Sequence, residues 1–117
     1  MGKIFKISGT YCASLTPFKE DYSINKKLLL DHCNNLLSQN IDGIAIFGTT
    51  GEANSLSIEE KLDAINFLID NKIDSKKLLP GTGLNSIKDT VFFTKAVAKI
   101  NVRAVLVLPP TYYKNIN

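Results

Sequence analysis

The stretch Gly43-Ile44-Ala45-Ile46-Phe47-Gly48-Thr49-Thr50-Gly51-Glu52 decides how the rest of the chain is read. From Gly43 to Phe47 it is apolar without alternation, the pattern of a strand covered on both faces, and such strands belong to parallel sheets. It then changes abruptly to small and polar residues. Glycines at 48 and 51 permit a tight backbone and the close approach of a ligand, and neighbouring amide N–H groups in such a turn can converge on an anion. Threonine hydroxyls donate and accept, so Thr49 or Thr50 can pass a proton between two partners. Turn chemistry alone also accounts for Gly and Thr here, so the stretch needs support from its surroundings.

Three more apolar runs of strand length stand around it, at residues 11–15, 77–81 and 104–108, and the last is again unbroken by polar residues. Helical patterns fill the intervals. Ile58, Leu62, Ile65 and Ile69 fall on one helix face, with Glu59, Glu60, Lys61 and Asp63 mostly on the other, and Ser57 with Glu60 forms a capping-box start. Segments 26–39 and 86–99 read as helices by the same logic, with Leu29, Cys33 and Leu36, then Ile87, Val91 and Ala98, facing inward. Strand, crossover helix and parallel strand make a right-handed unit. Serial units of this kind build either an open doubly wound sheet or a closed (β/α)8 barrel.

Each strand is followed by a small, polar or kinked motif: Thr16-Pro17-Phe18, Gly48 to Glu52, Gly81-Thr82-Gly83-Leu84-Asn85, and Pro109-Pro110-Thr111-Tyr112-Tyr113-Lys114. Ligands bind at the carboxyl ends of parallel strands in both architectures, so these loops point to one shared site. A tyrosine there can act as a positioned acid or base.

Composition narrows the classes. Hydrophobic residues make up 44% of the 117 and charged residues 21%, which is ordinary for one folded domain. The net charge of +3 is scattered, and Arg103 is the single arginine, so the clustered basic face of a nucleic-acid binder is missing. Cys12 and Cys33 lack C-x-x-C spacing and His32 is the only histidine, which leaves no Cys/His metal set. His32 reads as packed or surface, without a role. No signal-peptide pattern opens the chain, and no apolar run approaches the roughly 20 residues of a membrane span. A cytoplasmic protein with reduced thiols is expected. A phosphate loop would need Gly-Lys-Ser or Gly-Lys-Thr, which is absent, and Gly81-x-Gly83 is followed by Ser86 where a dinucleotide fingerprint has Gly or Ala.

Taken together, Gly9-x6-Thr16-Pro17-Phe18, Gly48-Thr49-Thr50-Gly51-Glu52, Gly81-Thr82-Gly83-x-Asn85 and Pro110-x-Tyr112-Tyr113 resemble the family of dihydrodipicolinate synthase, N-acetylneuraminate lyase and related 2-keto-acid aldolases. The resemblance runs from about Gly9 to Tyr113. It implies the N-terminal half of a (β/α)8 TIM barrel, about four parallel strands and three helices, with residues 1–117 forming a single incomplete domain. It also implies class I aldolase chemistry: a lysine forms an imine with pyruvate, and the enamine adds to an aldehyde or is released by cleavage, with no cofactor and no metal. Thr49 and Tyr113 would be catalytic, passing protons, while Thr50, Gly48 and Gly51 would bind the pyruvate carboxylate.

The same resemblance implies a homo-oligomer, dimer or tetramer, because the tyrosine matching Tyr113 reaches into a neighbouring subunit. Feedback control by lysine is expected to be absent, since the family's inhibitor-cleft residues correspond to Ile58, Lys61 and Asp89, where an apolar side chain and a like charge would repel a lysine ammonium or leave it unpaired. A full barrel takes about 250 residues, so the Schiff-base lysine would lie beyond Asn117. Every lysine present is expected to be exposed and protonated. The expected function is a fragment of 4-hydroxy-tetrahydrodipicolinate synthase or a related 2-keto acid aldolase. N-acetylneuraminate or 2-keto-3-deoxy sugar acid cleavage is the alternative, and a non-catalytic half-barrel for binding or assembly is the alternative of another class. A small doubly wound nucleotide binder is the remaining reading.

Overall fold

The computed structural model describes residues 7–109. The order of elements is β1 (Tyr11–Ala13), α1 (Lys26–Leu37), β2 (Gly43–Ala45), α2 (Ile58–Asp70) and α3 (Ile87–Lys99), with short 3-10 turns at Ala53–Ser55 and Ser75–Lys77. The helices begin where side chains can replace the missing intrahelical acceptors. Asn25 accepts from the Leu28 amide and Ser86 from the Asp89 amide. At α2 the capping box is complete: Ser57 accepts from the Glu60 amide and Glu60 accepts from the Ser57 amide, each at 3.1 Å.

β1 and β2 pair in parallel, with Cys12 opposite Ile44. The sheet continues beyond them in a looser form. Segment 78–82 lies against β2 through a parallel bridge between Ile44 and Leu78, with the Leu79 amide donating to Ile44 O and the Gly81 amide to Ile46 O. Residues 103–106 lie against that segment in turn, through a bridge between Gly81 and Leu106. The four expected strands are therefore corrected to two regular strands and two extended segments joined by single bridges. Pro80 explains part of the difference, because it has no amide to offer a ladder and stands in the middle of the third segment. The four segments nonetheless follow one another across the sheet in chain order.

α1 packs against β2 and α2, and α2 packs against α3. Leu29 and Cys33 of α1, Ile44, Ile46 and Phe47 around β2, Ala64, Ile65 and Leu68 of α2, Leu78, and Phe93 and Val97 of α3 form one buried cluster. Burial in it pushes the Cys33 thiol up to about 12, so this thiol is an inert packing group. Two inward faces differ from expectation. In α3, Ile87 is 78% exposed, Val91 and Ala98 are also exposed, and the helix buries Phe93 and Val97 instead. Both stripes have helical spacing, and the bulkier Phe93 wins the interior because it removes more apolar area from water. Leu36 of α1 is half-buried.

In α2 the buried set includes Lys61, which was expected on the polar face; Ile58, Leu62 and Ile69 are half-buried. No helix among the described residues is long and apolar enough to cross a membrane. The capping box at α2 gives a direct check of this packing. Ser57→Ala should lower stability by about 1 kcal/mol in urea denaturation, and an unchanged midpoint would show that the box contributes nothing.

Candidate functional site

At the carboxyl end of β2 the chain leaves the sheet through Phe47, whose φ of +58° is left-handed and costly for a bulky residue. This turn carries residues 48–52 across the end of the sheet. Inside it, the Gly51 amide donates to Gly48 O, Glu52 to Thr49 O, and Ala53 to Gly48 O. Those amides are spent. Among the described residues the amides of Thr49 and Thr50 have no partner within the chain, their hydroxyls make no hydrogen bond, and both residues are exposed. The unpaired donors of the turn are thus concentrated at two residues.

The neighbouring loops define what those groups face. Phe47, Gly48, Thr49, Ala53, Asn54, Gly81, Gly83 and Leu106 to Leu108 line a cavity of about 190 Å³. Gly48 and Thr49 therefore lie on its wall, and Thr50 stands on the exposed turn beside them. Gly51 is buried beneath: a Cβ there would sit 3.0 Å from Phe47 N, Ser14 O and Thr16 Oγ1, and its carbonyl accepts from Thr16 Oγ1 at 2.6 Å. Its place in the turn is one of packing, and it ties the end of the first strand to the second. Tyr113 lies outside the described residues. Asn54, which the motif reading passed over, adds a polar side chain to the cavity; only its spacing from Gly51 in the turn could have drawn attention to it.

The glycines of this region differ in what they do. At Gly81 a Cβ would meet Phe47 O at 2.3 Å, whereas at Gly48 nothing among the described residues stands within 4 Å. Folding requires the first glycine. No described residue requires the second, and its bareness leaves the cavity wall open to close approach by a ligand.

The burial of Lys61 was missed by sequence reasoning, which set it on the polar face of its helix. Its side chain is fully buried, its ammonium donates to the Thr82 carbonyl, and Nζ lies 5.5 Å from the centre of the Phe93 ring. Removal from water pushes its pKa down to about 8. The expectation that every lysine is exposed is therefore corrected. Four methylenes give Lys the apolar stem of a core residue, and the one signal in the sequence was its place three residues before Ala64 and four before Ile65. Lys61 is not among the residues lining the cavity.

Two outcomes follow from this geometry. Gly81→Ala should cost about 2 kcal/mol or more, while Gly48→Ala should change stability by less than about 0.5 kcal/mol; equal costs would refute the steric distinction. The second concerns pH. Because Lys61 titrates lower in the folded chain than its ordinary 10.5, the unfolded chain binds more protons between about 8 and 10.5. Stability relative to Lys61→Met should then rise with pH across that window and stay flat below it. A difference between the two proteins that is constant from pH 7 to pH 10.5 would show that Lys61 titrates normally.

Comparison with known proteins places these observations. Residues 6–117 match the Dihydrodipicolinate synthetase family. A 4-hydroxy-tetrahydrodipicolinate synthase from Endomicrobium trichonymphae is 36% identical over 107 residues, which cover 92% of this chain and 36% of the relative. The crystal structure of dihydrodipicolinate synthase from Agrobacterium tumefaciens superimposes with a TM-score of 0.89 at 29% identity, over 93% of this chain and 38% of that one. N-acetylneuraminate lyase from Proteus mirabilis superimposes with a TM-score of 0.81 at 28% identity, over 97% of this chain and 38% of that one. The chain thus spans little more than a third of the proteins it resembles. With the paired segments in chain order and the Gly48–Glu52 turn at the end of a buried strand, the chain belongs to the dihydrodipicolinate synthetase family.

Proposed function

We propose that this chain supplies the first part of a (β/α)8 barrel whose whole carries out pyruvate-dependent aldol chemistry, most closely that of 4-hydroxy-tetrahydrodipicolinate synthase. The observation that carries the reading is the pair of amides and hydroxyls at Thr49 and Thr50 left unspent among the described residues, beside a glycine that no described residue requires. Two N–H donors and a hydroxyl meet a carboxylate as a small nest, and the pyruvate carboxylate fits their charge. Thr49, on the cavity wall, is the proton-passing hydroxyl, and Tyr113 is its partner in the relay. Gly48 and Thr50 hold the carboxylate, and Gly51 supports the turn from below.

The covalent step needs a neutral amine at the keto carbon. Lys61 has the lowered pKa such an amine would want, yet its Nζ is turned to the Thr82 carbonyl and the Phe93 ring and stands outside the cavity. The imine-forming lysine is proposed to belong to the part of the barrel that the relatives have and this chain does not span. N-acetylneuraminate lyase from Proteus mirabilis shares the fold at similar identity, and an aldehyde partner is common to both readings. The full-length protein is proposed to act as a cytoplasmic homo-oligomer, a dimer or tetramer, in which Tyr113 reaches a neighbouring site.

Incubation with pyruvate and a hydride reductant tests this. The 117-residue chain should gain no mass, and a longer polypeptide reaching the sixth strand should gain one pyruvyl group on one lysine. In that longer protein Thr49→Val should lower kcat about 100-fold or more without abolishing the adduct. An adduct on Lys61, or a longer protein that takes up no pyruvate, would overturn the assignment.

A further inference from the structure

Gly81 and Gly83 line the cavity, and the backbone of Thr82 between them is held from two sides. The Thr82 amide donates to Leu106 O at 2.9 Å, and the Thr82 carbonyl accepts from the Lys61 ammonium. The Thr82 hydroxyl takes no part: it is buried and has no hydrogen-bond partner among the described residues. Gly83 follows at φ +58°, and a Cβ there would stand 2.5 Å from Ala53 Cβ and 3.1 Å from Lys61 Nζ. Ala53 and Gly83 both line the cavity.

A peptide that precedes glycine can rotate its plane at little steric cost, because glycine accepts either sign of φ. The Thr82–Gly83 peptide is of this kind, and its carbonyl is the atom that would swing. Lys61 holds that atom. The Phe93 face steadies the ammonium against the cost of burial without competing for the carbonyl, since a ring attracts a cation electrostatically. From this geometry we propose that Lys61 is a positioning residue: by holding the Thr82 carbonyl it fixes the Thr82–Gly83 peptide and so sets the cavity wall that faces Gly48 and Thr49. Its functional meaning rests on the carboxylate-site reading above, and its physical content does not.

The 117-residue chain and its Lys61→Met variant, both labelled with nitrogen-15, separate the two. Met keeps most of the apolar stem and removes the amine. Exchange of the Thr82 amide, which donates to Leu106 O, should quicken about tenfold or more in the variant while α1 amides change less than about twofold, and the Gly83, Gly48 and Thr49 amide resonances should shift. Unchanged protection at Thr82 would overturn the proposal. So would faster exchange at Thr82 with Gly48 and Thr49 unmoved, because the wall would then not depend on Lys61.

Titration of the unmodified chain with pyruvate, followed at the Thr49 and Thr50 amides, tests the carboxylate reading independently, and its failure leaves the exchange result to decide the role of Lys61. Should Lys61→Met not fold, the unmodified chain still decides. The Lys61 ammonium protons should exchange more slowly than those of the exposed Lys72 and Lys76, and equal rates would overturn the proposal.

Discussion

The close approach of Gly81 to the Phe47 carbonyl is the constraint on which the rest of the site depends. Phe47 leaves β2 in a left-handed conformation, and its carbonyl then occupies space that a side chain at position 81 would need, with only 2.3 Å to a Cβ placed there. Segment 78–82 can therefore lie against β2 only because residue 81 has no side chain. That contact lets the Gly81 amide reach Ile46 O, aligns Pro80 O to accept from Leu106, and brings the turns after the second and third segments to one cavity. The strained residue and the bare residue are two halves of one solution, since each is costly without the other.

Lys61 shows a different balance. A buried ammonium loses its hydration, and no carboxylate accompanies it among the described residues, where the only ion pair joins Lys26 to Asp63 at 2.8 Å. The compensation comes from a backbone carbonyl and an aromatic face, both of which favour the charged form, against a desolvation that opposes it. Replacement by an apolar residue would relieve the desolvation but leave the Thr82 carbonyl buried with one fewer donor. A polar residue retained at such a position makes sense where a particular backbone geometry matters more than core stability, and the backbone in question is the cavity wall.

How far the sequence could be read follows from the range over which each feature is determined. The α2 start was legible because the capping box is a local device, complete within residues 57–60. The buried character of β2 and the turn after it were legible because an unbroken apolar run has few alternatives of that length. The face of α3 was not, since Ile87-Val91-Ala98 and Phe93-Val97 both satisfy helical spacing and only the neighbouring elements choose between them. Regular third and fourth strands were not to be had from apolar content either. Apolar content says that a segment is buried, whereas ladder pairing needs an amide at each alternate position, and Pro80 lacks one.

The candidate site was legible as a set of positions and not as a set of roles. Gly48, Thr49, Thr50 and Gly51 read as equivalent members of one motif, yet hydrogen bonding divides them: Gly51 donates within the turn and packs beneath it, while the Thr49 and Thr50 amides have no partner among the described residues. A backbone that satisfies its own amides at three consecutive residues, 51 to 53, and leaves the two preceding threonines unsatisfied has an asymmetry that turn formation alone does not require. At an exposed position water can serve those donors, so the arrangement costs the folded chain little. The same donors then become available to a carboxylate by displacing that water, with the turn already in the required shape. On the carboxylate-site proposal, preorganisation of this kind would make a binding element of a strand-end turn, and it would be supplied by the internal hydrogen bonds of the turn and not by the residues that would touch the ligand.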